Sequence, residues 1–323
     1  MHKKRLATLD VSSLALGCMG MTNFYGHVNR NDCIKTIATA IEHDITFFDT
    51  ADSYGLGENE ILLGNAIQPF RNQVTIATKV GVVREKDQVS INGKPEYIKN
   101  QCIKSLEQLK ISIIDLYYLH HLDPHTPIEE SIDAMSQLVK EGKVRYIGLG
   151  EMDEDTIRRA HKIHPITAIQ AEFSLFYEEA KERFLPVCEE LGITFIACAP
   201  LCRGLLTNTI KSFGDLKSED FRKYLPRFSE ENISHNIKIV SLLQKIADNK
   251  KCTISQLCLA YVAHHPSIIP LFGTTKEHHL IENIKCHISL TDGDIINIKN
   301  ILATNAIHGD RLPMSAKKFY PPK

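Results

Sequence analysis

The sequence predicts an α/β protein folded as one closed (β/α)8 (TIM) barrel domain over residues 1–323, with an N-terminal hairpin and a long irregular loop on one face. Three observations carry this prediction. Short apolar runs alternate with segments of helical period from one end of the chain to the other. Eight such runs precede eight such segments, the count of a closed barrel rather than an open doubly wound sheet. No strand is followed by the GxGxxG turn of a dinucleotide-binding sheet, and "GLGE" at 55–58 matches it only in part.

The elements follow in order. "KRLATLDVSS" precedes the first barrel strand and reads as a small hairpin closing the barrel floor. The eight strands are then "LALG", "ITFFDT", "VTIATKV", "IIDLYYLH", "VRYIGLG", "AIQAEF", "TFIACAP" and "SIIPLFG". Their apolar residues run almost continuously, as parallel strands covered on both faces require. Between them, Ile98, Cys102, Leu106 and Leu109 recur at helical spacing, as do Ile128, Ile132, Met135 and Val139. Leu191-Gly192 reads as a helix end, and "TDGD" at 291–294 as a capping box. The stretch 203–235 carries Gly, Pro and many charges; an irregular segment of that length in a compact domain is usually functional.

Composition excludes several classes. The 323 residues are 43% hydrophobic and 24% charged, enough apolar side chain for a large core. A formal net charge of −1 with no basic block argues against nucleic acid or an anionic membrane as partner. No run of 18 or more apolar residues is present, and "MHKKRLATLD" turns polar before a signal-peptide core can form, so a cytoplasmic protein is expected. Nine cysteines, odd in number and without a CxxC pair, read as reduced thiols.

In such barrels chemistry gathers where strands end. There the sequence delivers Asp49 with Tyr54 on the loop beyond it, Lys79, His120, Gly150-Glu151 and Gln170. Each alone has a bland reading as turn cap, rim residue, snorkelling lysine or core histidine. Together they are complementary. A phenol with a pKa of about 10 is a poor acid at neutral pH, and an adjacent ammonium is expected to lower it. Asp49 would keep Lys79 charged, and His120 would donate toward an oxygen gaining negative charge. This set suits carbonyl reduction, in which hydride addition leaves a basic alkoxide that needs a proton from Tyr54.

Motifs in six regions carry a resemblance that covers nearly the whole chain. "FFDTADSYGLGENEILLG", "IATK", "IDLYYLHHLDP" and "LFGTTKEHHLIEN" resemble the aldo-keto reductase superfamily, and "ALGCMGM" and "LPRFSEEN" resemble its bacterial and plant branch. The resemblance implies a (β/α)8 barrel using NADPH, with Asp49, Tyr54, Lys79 and His120 as a catalytic tetrad. It also implies that Gln170 holds the nicotinamide carboxamide, with Gly150 and Glu151 beside it. By the same resemblance Cys198, Pro200, Leu201, Arg203 and Gly204 lie along the ring and pyrophosphate, while Gly273, Thr274, Lys276, His279, Glu282 and Asn283 take the adenosine end. Met19 and Gly20 fall where nicotinamide and substrate meet. "GTTK" before a helix also reads by itself as an anion site suited to a 2′-phosphate.

This chain departs from the family at four positions around the ring: Cys198 for an aromatic residue, Ala199 for Ser, Cys202 for Gly and Gly150 for Ser. A fifth departure, His279 for Arg, weakens the grip on phosphate, so NADP(H) is the first expectation and NAD(H) the second. Three other readings compete. Lys79 suits a Schiff-base lyase; "HHLDPH" at 120–125 suggests a metal cluster, though adjacent histidines on a strand should face apart; and some relatives are nucleotide-sensing channel subunits. The expected partner is a small carbonyl compound, its specificity set by 22–29, 81–96, 121–127 and 203–235; the sequence assigns no substrate, direction or oligomeric state.

Overall fold

A computed structural model of the chain describes residues 1–85, 88–317 and 319–320. An antiparallel hairpin, β1 (Lys3–Leu6) and β2 (Leu9–Ser12), comes first. The barrel strands β3 (Ala15–Gly17), β4 (Phe47–Asp49) and β5 (Thr75–Val80) follow. A second hairpin, β6 (Val82–Glu85) and β7 (Gln88–Ile91), interrupts the repeat. The barrel then resumes with β8 (Ile114–Leu119), β9 (Val144–Leu149), β10 (Ile166–Glu172), β11 (Thr194–Cys198) and β12 (Ile268–Gly273). These eight strands pair in parallel and close, β12 lying beside β3.

Helices cover the outside: α1 (Arg30–Glu42), α2 (Glu58–Ile67), α3 (Pro95–Leu109), α4 (Ile128–Lys140), α5 (Glu154–Ile163) and α6 (Glu179–Leu191). Two helices, α7 (Glu230–Asn249) and α8 (Ile254–Ala263), follow β11; α9 (Glu277–Asn283) and α10 (Asp292–Thr304) follow β12; and α11 (Met314–Lys317) is a short turn near the end. Their ends bear local signals. Asn29 caps α1, Asp153 caps α5, and capping boxes open α8 (Thr253, Gln256) and α10 (Thr291, Asp294), each cap being typically worth about 1 kcal/mol. Gly192 ends α6 in the left-handed region, as expected.

The closed barrel, floor hairpin and long loop agree with the sequence reading, with two corrections. The irregular stretch 203–235 is helical from Glu230, because Ser229 accepts a hydrogen bond from the Asn232 amide and starts α7 early. The segment 81–96 is not all loop; it holds the β6–β7 hairpin, while its Lys86 and Asp87 lie outside the described residues, as do 321–323 of the single-domain span.

Candidate active site

Strand alternation explains why the polar residues converge. Successive side chains point to opposite faces of a strand. Phe48, Ile76, Tyr117, Ile169 and Phe195 pack outward into the core between sheet and helices, whereas Phe47, Ala77, Leu116, Tyr118, Ala168 and Ile196 fill the barrel with Leu6 and Val11 of the floor hairpin. Two residues further along each inward row lie Asp49, Lys79, His120, Gln170 and Cys198. The inner rows are thus apolar below and polar at the mouth. The row of β10 continues to Glu172, which sequence reasoning missed although it stands two places after Gln170.

Lys79, 1% exposed, spends its three N–H donors on named acceptors: the Asp49 carboxylate, the Thr50 carbonyl at 2.8 Å and the Tyr54 hydroxyl at 3.3 Å. Burial weighs against its charge, but Asp49 offsets this and holds the ammonium pKa above its ordinary value. Asp49 also accepts 2.8 Å from the Gln170 amide. Tyr54 sits just before three successive left-handed residues, Gly55, Leu56 and Gly57. Gly57, at φ +92°, takes a backbone conformation that side-chain-bearing residues adopt only with strain, which favours glycine there.

The Tyr54 phenol corrects one expectation. Its pKa is raised, because burial outweighs the attraction of Lys79. His120 is pushed well below its usual range by burial and by His121, Lys79 and Arg84, so its ring is neutral at neutral pH. The two histidines do not face apart. β8 ends at Leu119, alternation lapses, and their rings stack at 4.9 Å. Asp123 spends its carboxylate on the Gly93 and His125 amides and the Thr126 hydroxyl, and among the described residues no cluster of His, Cys, Asp or Glu is arranged around a metal ion.

Above this layer lies an ion-pair network. Glu151 pairs with Arg311, while Glu172 pairs with the buried Arg227 at 3.3 Å and lies 3.9 Å from Arg311. Arg311 stacks on Tyr177 and Tyr320, whose ring in turn meets His121 at 4.8 Å. Arg311 and Tyr320 separate an inner cavity of about 60 Å³, reaching Lys79, His120, Gln170 and Cys198, from an outer one of about 570 Å³. Arg227, Arg311 and Tyr320 come from irregular segments whose placement follows no period. The Cys198 thiol is pushed up to about 12 by burial, hence protonated and unreactive at neutral pH.

The residues assigned to a nucleotide lie around this mouth. Ala199, Cys202, Arg203 and Gly204 all have positive φ, strain that clusters at functional turns and costs non-glycine residues roughly 1–3 kcal/mol each. Pro200 and Leu201 are buried within that turn. Arg203 donates 3.2 Å to the Tyr25 hydroxyl. Met19 begins a short 3-10 turn, and a Cβ at Gly20 would fall 3.4 Å from Tyr25 and 3.9 Å from Thr275, which brings the first loop against the one after β12. Gly273 ends β12, the Thr274 hydroxyl accepts from the Lys276 amide at 3.2 Å, and α9 carries His279, Glu282 and the buried Asn283. Gly150 is confined: a Cβ there would lie 2.0 Å from the His120 carbonyl. The buried, unpaired Nδ1 of His120 and the glycines at close approaches are compatible with a nicotinamide dinucleotide at this mouth.

The family model described as the aldo/keto reductase family matches residues 13–303. Among solved structures, the chain resembles the glycerol dehydrogenase AKR11B4 from Gluconobacter oxydans at 26% identity and a TM-score of 0.86, over 95% of this chain and 97% of that one. It resembles the holo form of aldo-keto reductase AKR11C1 from Bacillus halodurans at 25% identity and a TM-score of 0.78, over 97% and 98%. The thermostable aldo-keto reductase Tm1743, solved with the inhibitor epalrestat, is similar at 26% identity and a TM-score of 0.75, over 93% and 100%. Among the described residues no helix is long and apolar enough to cross a membrane.

Proposed function

This chain belongs to the aldo/keto reductase family, and from that premise we propose that it reduces an aldehyde or ketone to an alcohol with NADP(H), accepting NAD(H) second, and that Tyr54 delivers the proton. By its family the protein is an oxidoreductase of carbonyl compounds that uses a nicotinamide cofactor.

One observation carries the finer reading. An ammonium only donates, so in the contact of 3.3 Å between Lys79 and Tyr54 the phenol oxygen is the acceptor. The hydroxyl hydrogen of Tyr54 is therefore not spent on Lys79 and is available to another acceptor. The bound cofactor supplies the hydride. Tyr54 gives its proton to the oxygen that gains charge, Lys79 offsets the charge left on the phenolate, and neutral His120 donates a hydrogen bond from the other side. In oxidation Tyr54 acts as base. Gln170 would hold the carboxamide, the 199–204 turn the pyrophosphate, and Lys276 the 2′-phosphate; His279, its pKa lowered by burial and by His278 and Lys276, stays neutral and adds little to that grip. The free thiols and reducing cofactor suit the cytoplasm.

The Schiff-base alternative needs a neutral, unencumbered amine, and Lys79 is charged with all its donors engaged. The deciding experiment mixes the protein with NADPH or NADH and a panel of aldehydes, ketones and quinones while following the nicotinamide absorbance. A loss of absorbance dependent on the carbonyl supports the proposal. None across the panel, or a covalent adduct trapped by borohydride, sinks it.

A further inference from the structure

On the helix side of β5, behind the lysine, four buried polar atoms make no hydrogen bond of good geometry: Asp52 Oδ1, Ser53 Oγ, Glu60 Oε2 and Ser105 Oγ. The Ser105 hydroxyl near Glu60 and the Ser53 amide near Asp52 still favour the charged carboxylates somewhat, but burial outweighs them. They come from the turn after β4, the start of α2 and the middle of α3. Glu60 and Ser105 are wholly buried and Asp52 is 8% exposed. The other carboxyl oxygens are held, Glu60 Oε1 accepting from the Thr78 hydroxyl at 2.5 Å and Asp52 Oδ2 from the Gln101 amide at 3.3 Å. Thr78 and Lys79 are neighbours on β5 and point to opposite faces. The two acids therefore stand at the back of the strand whose front presents the ammonium.

Among the described residues neither acid has an ion-pair partner, since Lys79 is taken by Asp49. The other titratable groups facing the pair are Tyr97 and Cys102 from α3, Tyr117 from β8 and Lys79 itself. Burial drives Tyr97 and Cys102 each to about 12 and holds Tyr117 well above its ordinary value, so these three are uncharged in the neutral range. Burial also raises Glu60 to about 7, and burial with repulsion from Glu60 raises Asp52 to about 8. Two buried carboxyls that repel each other resist ionising together. Two hydroxyls beside two unpaired carboxyl oxygens form a matched set of donors and acceptors.

We propose that Asp52 and Glu60 keep at least one proton between them at neutral pH and act as positioning residues for Lys79, setting the field at its ammonium and hence the alkaline limit at which Tyr54 still donates. The proposal rests on the carbonyl-reducing function above. Losing the last shared proton adds negative charge behind Lys79, which makes the Tyr54 proton harder to release.

The test compares kcat against pH for the parent, Glu60→Gln, Asp52→Asn and the double variant, all with the same aldehyde and NADPH. Each single variant carries at most one charge in the crevice and the double variant none. The alkaline limb should move to higher pH by about one unit in the singles and further in the double, with KM for the aldehyde within about twofold. Infrared difference spectra of the free protein should show a protonated buried carboxyl band at pH 7 that weakens in each single variant. A limb that stays in place in natively folded variants overturns the proposal. Turnover without the infrared band overturns the acid pair alone, whereas the band without any carbonyl turnover overturns the reductase function and the positioning role with it.

Discussion

Gln170 and Asp49 meet across the barrel, the amide of one donating 2.8 Å to the carboxylate oxygen of the other that Lys79 leaves open. A carboxylate gripped from two sides cannot swing, and the direction of the Lys79 ammonium is fixed with it. A hydrogen bond to a charged group is worth about 1.5–3 kcal/mol. Gln170→Ala is therefore expected to lower kcat about tenfold or more and also to raise KM for the nicotinamide cofactor. Steady-state kinetics with both substrates varied checks this; a change in KM alone would confine Gln170 to cofactor binding.

Tyr54→Phe removes a hydroxyl while leaving the ring that faces His120 at 6.1 Å. The reductive rate in a single turnover should fall about 10²–10⁴-fold with the melting temperature little changed. Full activity in a folded variant would show that another group supplies the proton.

Gly150→Ser would restore the residue common in the family, yet it should not restore family behaviour. The new Cβ would press on the His120 carbonyl at 2.0 Å, so the strand ends of β8 and β9 must part. Overpacking of this kind typically costs about 1–3 kcal/mol. Urea unfolding should reveal a lower midpoint, and cofactor titration should show no gain in affinity.

Stability should also depend on pH through the buried acids. An unfolded chain releases such protons near pH 4, whereas the folded protein holds them to about 7 at Glu60 and about 8 at Asp52. Between those limits the folded state binds more protons, so this contribution to stability is greatest in mild acid, falls as pH rises toward 8 and is level beyond. At pH 8 the melting temperature of Asp52→Asn should exceed that of the parent by a margin not seen at pH 5, at about 2–4 °C per kcal/mol for a protein of at least this size class. Equal margins at both pH values would contradict it.

The parts of this site written in strand periodicity were legible in the sequence, and the parts brought in by irregular chain were not. Asp49, Lys79, His120 and Gln170 each end a run whose alternation is visible, so their meeting follows once the barrel is inferred. Glu172 obeyed the same rule and was open to the same inference. Arg227 and Arg311 reach Glu172 from the long loop and the C-terminal segment, and only charge complementarity, which has no sequence spacing, links them. The raised pKa of Tyr54 was missed for a related reason. The neighbouring lysine is readable in the sequence, while the burial that outweighs it depends on how separate strands and loops enclose the phenol.

The hairpin of β1 and β2 gives the molecule a blind end. With Leu6 and Val11 seated against Phe47 and Leu116, the barrel is a well rather than a pipe, and water or protons exchange with Lys79 and Asp49 only through the rim. Solvent-isotope exchange at those buried groups should thus slow when a ligand occupies the opening.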